Sequence, residues 1–226
     1  MGLFGLGKKD NTPAPEVATP VAASPVDVNP GKLSLGKISL EKGQQVTIEK
    51  TALVKATCTW SSSTDYDIYA LVLLRDGRTL TVSQFGSEEQ PNFTPSILNG
   101  AVKHLGDVGR GAKGDATEII EITMTDEIEA VIPVAYSAQS NGTGSFRRYA
   151  VSLGIDNGAG SSVTISSKNA SDNDMVYSVA IGVIRNTPQG IQVEALEEYS
   201  KAGSEFRPTI VKGRVVMDKG SRNLYK

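Results

Sequence analysis

Cysteine and histidine are nearly missing from this chain: Cys58 and His104 are the only ones among 226 residues. One thiol excludes an intramolecular disulfide. The two together cannot build a Cys/His zinc site, which takes four such ligands, or three and a water. A single imidazole and no G-x-S-x-G sequence leave nucleophilic catalysis without its parts. Aromatics make up 6% of the residues, with one tryptophan. That is little for a sugar-stacking cleft, so paired carboxylates are not taken for a glycoside hydrolase. No catalytic set emerges, and no enzyme is expected. Charge of one sign is also lacking: 23 Lys+Arg stand against 25 Asp+Glu, a net charge of −2, and nothing draws the whole surface to nucleic acid. No stretch approaches the roughly 20 apolar residues of a membrane span. The opening MGLFGLGKKDNT places its lysines after the apolar residues, the reverse of a secretory leader. Leu6 stands where N-myristoylation asks for Ser or Thr. A cytoplasmic protein is expected. Leu3, Phe4 and Leu6, with Lys8 and Lys9 at the headgroups, offer a peripheral contact with the inner face of the membrane.

Residues 10–31 carry five of the ten prolines, at 13, 15, 20, 25 and 30. Such a segment stays extended and solvated, which predicts a disordered Pro-rich tail or linker over 1–31 and one folded domain over 32–226. Within that domain the apolar period is two. Val54, Ala56, Cys58 and Trp60 share one strand face; Ile120, Ile122 and Met124 share another; Tyr149, Val151, Leu153 and Ile155 a third. Tyr66–Leu74 and Met175–Ile184 are apolar on both faces, as central strands are. Asp76-Gly77, Asn141-Gly142, Asp156-Asn157-Gly158 and Pro188-Gln189-Gly190 punctuate these runs. Only Glu194–Ala202 reads as helix. The pattern predicts an all-β fold, an antiparallel β-sandwich with little helix.

One long segment, 86–117, has little periodicity and many glycines, and so reads as a long Gly-rich acidic loop of functional kind. Gly109-Arg110-Gly111-Ala112-Lys113-Gly114 spells the dinucleotide glycine pattern, but the residues after it alternate like a strand, and no βαβ unit surrounds it. Asp107 and Glu118 are spaced like the first and last ligands of an EF-hand loop, yet Gly109, Gly111 and Ala112 occupy the intervening positions, and no helix pair flanks them. The oxygens themselves remain. Asp107, Asp115 and Glu118 lie on or beside this loop, and Asp65 and Asp67 form a D-x-D pair at the mouth of a buried strand. Calcium accepts six to eight oxygens from irregular loops, so these five carboxylates are a candidate site if the fold brings them together. Lys212–Lys226 is basic and alternates with Val215 and Met217, which predicts a basic-faced edge strand.

The stretch His104-Leu-Gly-Asp-Val-Gly-Arg-Gly-Ala-Lys-Gly-Asp-Ala-Thr-Glu118, preceded by Asp65-Tyr-Asp-Ile-Tyr-Ala-Leu71, resembles the tellurium-resistance (TerD-type) calcium-binding stress-protein family. Leu35-Gly-Lys-Ile-Ser-Leu-Glu-Lys-Gly43, Ser145-Phe146 and Asp156-Asn157-Gly158 extend the likeness over roughly residues 33–185. The resemblance implies a β-sandwich holding Ca²⁺ between the D-x-D strand and the acidic loop, with Asp65, Asp67, Asp107, Asp115 and Glu118 as metal residues. It also implies a stress-response role near the cytoplasmic membrane, in complexes with partner proteins. Lys113-Gly114-Asp115-Ala116-Thr117 replaces the family's run of acids, which weakens binding or removes it. Two functions follow as expectations. In one, Ca²⁺ orders the 86–117 loop to present a partner-binding surface. In the other, a metal-free structural or assembly module is tethered by its Pro-rich arm to a larger complex.

Overall fold

Burial alternates along Val54–Trp60, Ala116–Ile122, Ser152–Asp156 and Ser161–Ser166 in the computed structural model, which describes residues 35–61, 64–107, 115–137 and 145–224. The strands in chain order are β1 (Gly36–Leu40), β2 (Gln45–Ile48), β3 (Val54–Trp60), β4 (Asp67–Leu74) and β5 (Thr79–Val82). Then come β6 (Ser96–Ile97), β7 (Val102–His104), β8 (Ala116–Ile122), β9 (Ile128–Tyr136) and β10 (Ser152–Asp156). The last are β11 (Ser161–Ser166), β12 (Ser178–Thr187), β13 (Gly190–Tyr199), β14 (Thr209–Val211) and β15 (Arg214–Val216). They form a seven-stranded sheet, β1-β11-β10-β3-β8-β7-β6, and a six-stranded sheet, β2-β13-β12-β9-β4-β5. Among the described residues only β1 and β11 run parallel. The all-β sandwich expected from the period is therefore the observed fold. The Pro-rich tail over 1–31 and the Asn141-Gly142 turn fall outside the described residues.

The inner core fills the space between the two sheets. Val54, Ala56, Cys58 and Trp60 of β3 pack there with Ile120 and Ile122 of β8, Leu153 and Ile155 of β10, and Ile68, Ala70 and Val72 of β4. The six-stranded sheet is buried on its other face as well. Tyr69, Leu71, Leu73, Ile132, Val134 and Val183 make a second core with Ile210, Val215 and Met217 of the C-terminal segment. Two-sided burial explains why β4 and most of β12 read as continuous apolar runs. The expected basic edge strand does not join the sandwich: β14 and β15 pair only with each other. Their apolar residues cap the outer face instead.

Two expectations change. Glu194–Ala202 is not helical; Glu194 to Tyr199 belong to β13. The helix-forming Glu-Ala-Leu-Glu-Glu run is overridden by a hairpin. Pro188-Gln189 turns β12 back so that Thr187 pairs with Gly190, and the register then buries Ile191, Val193 and Ala195. Gly190 is required there, since its φ is 141° and a Cβ would lie 2.4 Å from the Ile48 carbonyl oxygen. The 86–117 segment is likewise not one open loop. β6, a single helical turn at Leu98–Gly100 and β7 lie within it, and β7 pairs with β8. Short two- and three-residue strands leave too little sequence for a period to show.

Candidate metal centre

The strand registers bring the chemistry to one end of the sandwich. Asp67, the first residue of β4, pairs with Tyr136 at the end of β9. In the facing sheet Trp60 at the end of β3 pairs with Ala116 at the start of β8. β7 ends beside the same stretch, with His104 opposite Ile120. Carboxylate oxygens of Asp67, Asp107 and Glu118 all lie within 4.8 Å of one another. Asp67 and Glu118 are buried and Asp107 is exposed. These residues are 40 and 51 positions from Asp67 in the chain, so only the tertiary fold assembles them.

Glu118 occupies a position that the alternation of β8 assigns to the core. Its neighbours on that face are Ala116, Ile120 and Ile122. A buried carboxylate is costly unless hydrogen-bonded. Here Oε2 accepts the Ile68 backbone N–H at 2.8 Å and lies 3.4 Å from His104 Nε2. His104 is equally buried. Its Nε2 is 2.9 Å from the Ile68 carbonyl oxygen, and its Nδ1 accepts the Gly106 N–H at 3.1 Å. These side chains take the place of a missing strand. β5 pairs Ala70 to Leu73 of β4 and stops, and two residues earlier both backbone groups of Ile68 turn to Glu118 and His104.

Asp65 and Asp115 stand outside the converging set. Asp115 is exposed at the entry to β8 and Asp65 is half-buried ahead of β4. Cys58 faces Glu118 across the β3–β8 register and is fully buried. Burial, and then the Glu118 charge, push its thiol far above the ordinary range, which leaves it protonated and unreactive. The other two motifs have local structural work. Asn157 Oδ1 accepts the N–H groups of Ala159 and Ser161 and so closes the β10–β11 turn. Ser145 Oγ donates to Asp174, while Phe146 packs against Tyr66 and Tyr199.

The part of His104 in this arrangement was not legible from composition, where it counted only as a lone imidazole. The signal was its place two residues before Gly106 and three before Asp107. Among the described residues no helix is long and apolar enough to cross a membrane. The chain matches no protein-family model, and no curated protein matches it.

Proposed function

We propose that the protein is a non-enzymatic calcium-binding β-sandwich of the TerD type, in which Asp67, Asp107 and Glu118 hold the ion. The convergence of these three carboxylates carries the reading. Two ligands on opposite sides of one Ca²⁺, each at about 2.4 Å, stand about 4.8 Å apart. The oxygens of the triad lie within that limit, which is the separation that sharing one ion requires of every pair. Three carboxylates are the hard anionic donors that calcium takes, and backbone carbonyls and water supply the rest of its shell. The bound ion neutralises charge that would otherwise repel and links β4, β8 and the segment after β7. In this reading the 86–117 stretch, already anchored through β6 and β7, is fixed at its acidic end and forms a surface for partner proteins of a stress-response complex. Its place is the cytoplasm, with contact at the inner face of the membrane through the N-terminus.

The reading includes no thiol chemistry toward tellurite, because Cys58 is sealed in the core. A metal-free assembly module is favoured by one observation: Glu118 Oε2 already accepts a protein donor, the Ile68 N–H. Calorimetric titration of chelator-stripped protein with Ca²⁺, and with Mg²⁺ as control, separates the two. Saturation near one Ca²⁺ per chain, with a dissociation constant of about 10⁻⁶ to 10⁻⁴ M, supports the calcium reading. No heat up to millimolar Ca²⁺ overturns it in favour of the module.

A further inference from the structure

We propose that His104 is the positioning residue for all three carboxylates, acting as a neutral imidazole with its proton on Nε2; the proposal rests on the metal reading above. One ring touches the neighbourhood of each ligand. Nε2 meets the carbonyl of Ile68, the residue after Asp67, at 2.9 Å. The same nitrogen lies 3.4 Å from Glu118 Oε2. Nδ1 receives the N–H of Gly106, the residue before Asp107. The tautomer follows from the partners. A backbone N–H can only donate, so Nδ1 is bare; a carbonyl oxygen can only accept, so Nε2 carries the proton.

The spacing of the His-x-Gly-Asp sequence now has a physical reason. Gly106 gives its N–H to the ring two residues earlier, and its φ of 124°, a conformation that side chains resist, sets the direction of the chain that follows. Asp107 is thereby delivered beside the strand ends. On the Glu118 side, Oε2 is held by the Ile68 N–H and faced by His104, which fixes the orientation of the carboxylate. Outer-shell partners of this kind typically change metal affinity by about 10- to 100-fold when removed.

The test is a set of three variants of the full chain, His104→Gln, His104→Asn and His104→Phe. Calcium affinity is measured by calorimetry, and melting temperature is measured in chelator as a control for folding. Gln places an amide N–H near the position of Nε2 and keeps the Glu118 and Ile68 contacts. Asn reaches only the position of Nδ1, and Phe keeps the ring volume without either nitrogen. The expected order of affinity is wild type, then Gln, then Asn, with Phe about 10- to 100-fold below wild type. A Phe variant that binds Ca²⁺ as tightly as wild type overturns the role. If Phe does not fold, the Gln and Asn variants decide, and Asn equal to or tighter than Gln overturns it. Long-range ¹H–¹⁵N correlation of the single histidine tests the tautomer on the wild-type chain; a protonated Nδ1 with a bare Nε2 overturns it. Wild-type protein that binds no Ca²⁺ fails the metal reading itself, whereas binding insensitive to His104 fails only this inference.

Discussion

Replacing Cys58 with alanine should remove a large part of the protein's sensitivity to alkali. The thiol is 0% exposed in the inner core, and its pKa is raised by burial first and by Glu118 second. In the unfolded chain it titrates near its ordinary value of about 8.5. The folded value lies above the unfolded one, so the contribution to stability is intact below pH 8.5. It is lost as pH rises, because the unfolded state releases a proton that the native state keeps. At pH 10 the unfolded thiol is 1.5 units above its pKa, and the loss from this one group is about 2 kcal/mol relative to pH 7. Tyr66, Tyr69 and Tyr199 are shifted upward as well, chiefly by burial, but these tyrosines are present in both proteins and their main effect drops out of the difference. The assay is urea unfolding of wild type and Cys58→Ala at pH 7, 8.5 and 10, with m-values held constant. Wild type should lose about 2 kcal/mol more than the variant between the end points. The cavity left by alanine lowers stability by the same amount at every pH, so any difference in pH dependence between the two proteins comes from the lost thiol. Equal slopes would refute the argument. So would rapid reaction of native Cys58 with a thiol-reactive disulfide at pH 7, and that result would reopen thiol chemistry as a function.

Asp67→Asn should abolish the calcium-dependent rise in melting temperature; the wild-type rise should correspond to about 2.7 kcal/mol at a hundred times the dissociation constant, and an unchanged rise removes Asp67 from the site. Arg207 is buried against the Tyr69 and Phe85 rings at 5.0 and 5.1 Å and donates to Asn223 Oδ1 at 2.6 Å. Arg207→Ala should therefore cost about 3 kcal/mol by denaturant unfolding and make the 205–224 segment the first site of limited proteolysis. Gly190→Ala should cost about 2–3 kcal/mol, because the β12–β13 turn has no room for a Cβ beside Ile48; a wild-type unfolding midpoint would contradict that close approach.

Much of this protein is written along the chain itself. Alternation at Val54–Trp60 and Ile120–Ile122, two-sided burial at Tyr66–Leu74 and the Asp156-Asn157-Gly158 turn are local consequences of the pleat, in which neighbouring side chains face opposite ways. They determine an all-β fold before any long-range contact is known. Asp67, Asp107 and Glu118 stand out in the sequence as acids at strand mouths and in a glycine-rich segment. What the chain does not encode locally is which acids meet. Asp65 and Asp115 look as eligible as the other three, and only the folded chain shows that Asp67, Asp107 and Glu118 converge. The same holds for Glu194–Tyr199, whose helical propensity of a few tenths of a kcal/mol per residue yields to burial of Val193 and Ala195 against the facing sheet. It holds also for the C-terminal hairpin, whose apolar residues have no partner until the outer face of the six-stranded sheet exists. Periodicity is a property of neighbours and can be read in one dimension. The three-carboxylate cluster brings Asp67 to residues 40 and 51 positions away in the chain, and folding alone sets those distances.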